Sequence, residues 1–116
     1  LTSMDAAALR AIGIDVAPET LVKKLAGLAQ SSGADGVVCS ANETRELTSI
    51  LGTKFIKVTP GIRPLGISND DQKRVMSPVN AIKEGANYLV IGRPIIQAED
   101  PVGVLTRVID DITGVA

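Results

Sequence analysis

The sequence predicts an α/β fold with all strands parallel. Short apolar runs at 36–40, 55–59 and 88–91 alternate with longer stretches whose apolar residues recur at helical spacing. No two of these runs lie within hairpin distance, so each must be joined to the next by a crossover. The apolar content is aliphatic, with hydrophobic residues at 45% and aromatics at 2%, the usual filling of a parallel sheet covered by helices. At 116 residues the chain is one small domain or part of a larger one, and buries roughly two thirds of its unfolded surface. Two architectures satisfy this order: a compact doubly wound sheet, or half of a (β/α)8 barrel, whose usual length of roughly 250 residues is about twice this.

Taken in order, Leu1-Thr2-Ser3 read as the last residues of a strand whose body is missing, and the chain starts at Leu1 rather than a methionine. A fragment of a longer protein is the expectation. Residues 4–13 carry Ala6, Ala7, Ala8, Leu9 and Ile12, a short helical pattern closed by Gly13. Pro18 opens a helix to about residue 30, with Leu21, Val22, Leu25, Leu28 and Ala29 on one face. The run at 36–40 is continuously apolar up to Ser40, as in a strand buried on both faces. Ser40 and Glu43 have capping-box spacing and start a helix with Leu47, Ile50 and Leu51, ended by Gly52.

A strand at 55–59 ends at Pro60. From there to Met76 lie about 17 residues with little periodicity, longer than a connection usually is unless it has a task. This is a candidate lid. Ser77-Pro78 places an N-cap before a proline at the first helical position, opening a short helix to Gly85. Residues 88–91 form the last strand, in which Tyr88 is expected to pack. Asp100-Pro101 repeats the cap-plus-proline device and starts a helix with Val104, Leu105, Val108, Ile109 and Ile112 facing inward.

Composition removes several function classes. Twelve basic and 13 acidic residues give a net charge of −1, so no overall field attracts nucleic acid or an acidic membrane. No apolar run approaches the roughly 18 residues of a membrane span, and no secretory leader is visible. With Cys39 the one cysteine and no histidine, an internal disulfide, a zinc site and a Ser-His or Cys-His nucleophile cannot be assembled within the chain. A metal would have to sit on carboxylates alone.

The chemistry concentrates where two strands end in glycine, arginine and proline, at Val58-Thr59-Pro60-Gly61-Ile62-Arg63-Pro64 and at Val90-Ile91-Gly92-Arg93-Pro94. In parallel sheets such ends hand the ligand to a loop. Gly92 and Arg93 offer a backbone N–H and a guanidinium to one oxyanion; the alternative is a surface arginine beside a capping turn. Arg63, between Ile62 and Pro64, is well aimed at an anion, against the alternative of a solvated loop charge. Gln72, among Asp70, Asp71, Lys73 and Arg74, is a donor on the lid or ordinary loop surface. Asp70-Asp71 read as solvated carboxylates before they read as a Mg²⁺ site. Cys39 reads as a small core residue. Lys57 reads as a solvated strand-end lysine, with a barrel mouth as the alternative.

Leu1-Thr2-Ser3-Met4, Asp35-Gly36-Val37-Val38-Cys39-Ser40, the Thr59 to Pro64 string, Asp71-Gln72-Lys73-Arg74 and Tyr88-Leu89-Val90-Ile91-Gly92-Arg93-Pro94-Ile95 resemble, in that order, the second half of bacterial orotidine 5′-phosphate decarboxylases. The resemblance runs the length of the chain. It implies that residues 1–116 are a single C-terminal half of a TIM (β/α)8 barrel, supplying the end of the fifth strand and the remainder of the barrel after it. It also implies that Arg63, Gln72, Gly92 and Arg93 surround a nucleotide phosphate while Thr2 contacts the pyrimidine. The implied enzyme is cytoplasmic, needs no cofactor or metal, and takes OMP to UMP and CO2 in pyrimidine synthesis. Related sugar-phosphate decarboxylases are disfavoured by the Thr59 to Pro64 string.

One departure matters. The family's chemistry rests on an Asp-x-Lys-x-x-Asp constellation on an earlier strand, and Asp71-Gln72-Lys73, the nearest approach here, is followed by Met76 at the required distance. The lysine that pairs with the sugar hydroxyls is likewise missing. The expectation is a chain inactive alone, which pairs with its N-terminal half or assembles as a homo-oligomer. The alternative is a non-catalytic oligomeric half-barrel with at most phosphate binding.

Overall fold

The computed structural model describes residues 1–64 and 75–115. At its centre is a three-stranded sheet in the order β1-β2-β3, formed by Gly36–Val38, Ile56–Thr59 and Tyr88–Leu89. Both pairings are parallel, with Val38 opposite Val58 and Val58 opposite Tyr88. The pairing continues past the strands, since the Cys39 N–H donates to the Val58 carbonyl at 3.0 Å and the Val90 N–H to the Thr59 carbonyl at 2.9 Å. All three strands therefore end at one edge of the sheet.

The helices are α1 (Ala6–Ala11), α2 (Pro18–Ser31), α3 (Thr44–Leu51), α4 (Pro78–Lys83), α5 (Arg93–Ile96) and α6 (Pro101–Thr113), with a 3₁₀ turn at Ala41–Glu43. Their starts follow the capping chemistry of the sequence. Asp5 accepts from the Ala8 N–H at 2.9 Å, Ser77 from the Asn80 N–H at 3.3 Å and Asp100 from the Gly103 N–H at 3.1 Å. Ser40 and Glu43 close the expected capping box, the Ser40 N–H donating to Glu43 Oε2 at 2.9 Å. Gly52 ends α3 at φ 90°, a left-handed conformation that favours glycine. The four-residue α5 has no counterpart among the expected elements: Pro94 ends the strand segment but also fits the first turn of a helix.

Several expectations need correction. Residues 1–3 are not a strand end but a turn closed by the Met4 N–H on the Leu1 carbonyl at 3.0 Å; Leu1 packs on the cluster of Val22, Ala26, Cys39 and Leu47. Among the described residues, β1 is covered on one face alone. Val37 and Cys39 meet α2 and α3, whereas Val38 is 66% exposed. Tyr88, expected to pack, is 61% exposed, and Val90 is exposed too. Parallel partners share a face, so the open side presents Val38, Val58, Tyr88 and Val90. An uninterrupted apolar run says that a strand is built to be covered twice, not that this chain supplies both covers.

The helices show the same asymmetry. On α2 the stripe that packs is Val22 and Ala26, four residues apart, while Leu25 and Leu28 are exposed. On α6, which packs against α4 and α5, Val108 is buried but Leu105 and Ile109 are exposed.

Lys57 overturns its solvated reading: it is 2% exposed, on the helix-covered face, and its ammonium donates to Thr48 Oγ1 at 2.8 Å. The alternation along β2 puts Lys57 and Thr59 on that buried face.

The tightest backbone approach is at Gly36, where an added Cβ would meet the Ile56 carbonyl oxygen and lie 2.7 Å from Ile56 Cβ. Neither atom can move without disturbing the β1–β2 ladder, in which Gly36 stands opposite Ile56. Gly36→Ala is expected to destabilise the chain by about 1–3 kcal/mol, the usual cost of overpacking, read as a lower urea midpoint at unchanged slope. An unchanged midpoint would mean that the two strands separate freely.

Candidate functional site

The candidate site lies at the sheet edge where the strands end. Leaving β2, the chain passes Pro60 and reaches Gly61 at φ 73°, a backbone conformation that a side chain would strain. The turn delivers Ile62 inward and Arg63 after it. Ile62 is fully buried and packs with Ala41 after β1, Ala81 of α4 and Ala86 before β3, with Met76, Leu89 and Ile91 against the same cluster. One side chain thus joins the loops that follow all three strands.

The ends of the long connection are tied to each other as well. Ile62 and Met76 form a parallel bridge, the Arg63 N–H donating to the Met76 carbonyl at 3.0 Å and the Met76 N–H to the Gly61 carbonyl at 3.3 Å. Arg63 is 7% exposed, and its NH1 donates to the Ile62 carbonyl at 2.9 Å. A guanidinium held in this way has lost most of its rotamer freedom before any ligand arrives.

Beyond β3, the Gly92 carbonyl accepts from the Ile95 N–H at 2.9 Å and the Ile96 N–H at 3.1 Å, which opens α5 with Arg93 at its first position and Pro94 buried behind it. Gly92 is exposed and Arg93 half-buried. Because Thr59 pairs with Leu89, the loop bearing Arg63 and the loop bearing Arg93 leave neighbouring strands at the same edge. Thr59 supports this pairing through its side chain, buried with Oγ1 donating to the Tyr88 carbonyl at 3.3 Å.

Arg63 and Gly92-Arg93 thus follow adjacent strands at the same edge of the sheet. Thr2 stands apart from them. It lies in the turn over β1 and lines a crevice of about 290 Å³ with Leu1, Val22, Cys39 and Glu43. Gln72, with Asp70, Asp71, Lys73 and Arg74, lies outside the described residues. Among the described residues no three His, Cys, Asp or Glu side chains gather into a metal site, and no helix is long and apolar enough to cross a membrane. Sequence reasoning missed Ile62 as the organising residue; its only signal was an apolar side chain inside an otherwise polar, glycine-and-proline loop.

The model for the orotidine 5′-phosphate decarboxylase / HUMPS family matches residues 1–108. The orotidine 5′-phosphate decarboxylase of Marinomonas sp. (strain MWYL1) is 58% identical over 112 residues, covering 97% of this chain and 48% of that protein. That of Aliivibrio fischeri (strain MJ11) is 56% identical over 108 residues, covering 93% and 46%. The crystal structure of orotidine 5′-phosphate decarboxylase from Lactobacillus acidophilus superposes with a TM-score of 0.76 at 34% identity, over 97% of this chain and 46% of that one. The chain spans about half the length of the curated relatives it matches, and its parallel strand–helix units correspond to part of a TIM barrel. With a family match over nearly its whole length and relatives more than half identical, this chain belongs to the orotidine 5′-phosphate decarboxylase / HUMPS family.

Proposed function

We propose that this chain is a C-terminal half-barrel that supplies the phosphate-binding side of an orotidine 5′-phosphate decarboxylase acting in the cytoplasm. The observation that supports this most is Arg63, a nearly buried cation fixed by the Gly61–Met76 clasp beside the loop of a second arginine, Arg93. Such a pair suits a dianionic phosphate, which offers acceptors to both forks at once. In this reading Arg63, Gly92 and Arg93 hold the phosphate of OMP or UMP, Gln72 adds a donor, and Thr2 meets the pyrimidine.

The reaction breaks the bond between the ring carbon and its carboxylate, releases CO2 and places a proton on that carbon. The proton donor expected from the family is the lysine of Asp-x-Lys-x-x-Asp, and no such spacing occurs in this sequence. The role left to this chain is binding. Grip on a phosphate remote from the reacting carbon contributes to rate where it holds the pyrimidine against groups that act only in the transition state.

A second reading, a non-catalytic oligomeric half-barrel, is favoured by the open sheet face with Val38, Tyr88 and Val90 exposed and by the outer strands β1 and β3, each paired on one side among the described residues. An open apolar face and unpaired edges invite pairing with a second copy or with the complementary half.

Three outcomes are expected. Titration calorimetry with UMP should show affinity falling about 10- to 100-fold in Arg63→Ala and in Arg93→Ala, the worth of a charge-assisted hydrogen bond of roughly 1.5–3 kcal/mol; unchanged affinity in both would remove the phosphate site from these loops. Purified chain given OMP should release no CO2 above the uncatalysed rate, and sustained turnover by a contaminant-free sample would show that a proton donor exists within these residues. Light scattering at micromolar concentration should give a mass of at least two chains, whereas a stable monomer would mean that the open face is tolerated in water.

A further inference from the structure

The end of the sheet opposite the arginines carries a second feature, independent of the decarboxylase reading. Lys57 points from β2 into the helix layer and is 2% exposed. An ammonium has three donors, and among the described residues one of them is used, on Thr48 Oγ1 at 2.8 Å. Thr48 is itself committed, its hydroxyl proton going to the Thr44 carbonyl at 2.7 Å. Lys57 takes part in neither of the ion pairs Lys23–Glu46 and Arg45–Glu84, and its described side-chain partner is the neutral hydroxyl of Thr48. A charge held out of water without a counter-charge is costly unless something else supplies one.

The surroundings indicate what that is. A crevice of about 300 Å³ opens against the Lys57 side chain, walled by Thr48, Thr53, Ile82, Ala86 and Asn87, and among the described residues no acidic side chain lines it. Asn87 Oδ1 accepts from the Lys57 backbone N–H at 2.9 Å, which fixes the amide and leaves its NH2 as a donor. Thr53 contributes a hydroxyl. The crevice therefore offers an amide NH2 and a hydroxyl as donors beside one cation.

We propose that this crevice binds a small oxyanion, with Lys57 as the charge and the Asn87 amide and Thr53 hydroxyl as neutral donors. The site lies at the N-terminal ends of β2 and β3, since Asn87 immediately precedes β3 and Lys57 is the second residue of β2. The arginine loops lie at the other end. The two sites do not share a residue.

Inorganic phosphate is the probe, titrated into the full chain at constant ionic strength maintained with chloride. Thermal midpoints should rise by several degrees in the unaltered chain and in an Arg63→Ala/Arg93→Ala variant, since a ligand of the folded state alone stabilises it. In Lys57→Met the phosphate-dependent rise should fall by at least half. An equal rise with and without Lys57 would overturn the site and leave the crevice to water. Should Lys57→Met not fold, the ¹H–¹³C resonances of the Lys57 ε-methylene in the unaltered chain decide the matter. Saturable movement with phosphate supports the site, and resonances unmoved by phosphate overturn it.

Discussion

Ile62 is the side chain on which the working edge of this molecule depends. It has no exposed surface, and the residues around it come from the loops after β1 and β2, from α4 and from β3 with its flanks. Without it, Pro60 to Pro64 would be a polar loop with nothing to hold it against the sheet. With it, the next residue in the chain is fixed, and that residue is Arg63. Burying such a side chain contributes about 1.5–3 kcal/mol, enough to offset the backbone entropy of ordering only one or two residues. The clasp between Gly61, Arg63 and Met76 supplies further ordering by satisfying backbone groups that a buried loop would otherwise strand.

The same balance of burial against ordering explains the asymmetry of the rest. A parallel sheet is built from residues that expect cover on both faces, and here the helices cover one. The consequence is visible in Val38 and Tyr88, aligned through Val58 on the open side, and in Leu105 and Ile109 on α6. The described residues leave these apolar side chains exposed.

This division decides what was legible in the sequence. Capping is local, so Ser40, Ser77 and Asp100 could be placed from their neighbours; Ser77 and Asp100 cap the helices expected, and Ser40 caps the 3₁₀ turn that leads into α3. Strand positions were legible because short aliphatic runs between helical patterns leave few alternatives. The facing of residues was not, because periodicity identifies an apolar stripe without naming its partner: Leu25 and Leu28 share a face with Val22 yet remain exposed. Lys57 failed for a related reason. A strand-end lysine is usually solvated, and only the tertiary placement of Thr48 and Asn87 turns β2 so that its ammonium faces inward. The positions of Arg63 and Arg93 just past β2 and β3 were legible because glycine and proline lie beside them, and those residues fix backbone direction by themselves.

The two arginine loops bear on function in the proposed reading. Arg63 and Arg93 follow neighbouring strands at the same edge, and a ligand able to accept from both forks would hold the two loops together. In the proposed reading that is a phosphate, and linkage makes the effect reciprocal: a ligand that prefers the ordered arrangement of the two loops stabilises that arrangement by the same free energy with which the arrangement strengthens binding. The Ile62 cluster determines how much of that ordering is done in advance. Because Arg63 is already held through its backbone to Met76 and through NH1 to the Ile62 carbonyl, little of the binding energy is lost in fixing it, and what remains is available to position the far end of the nucleotide.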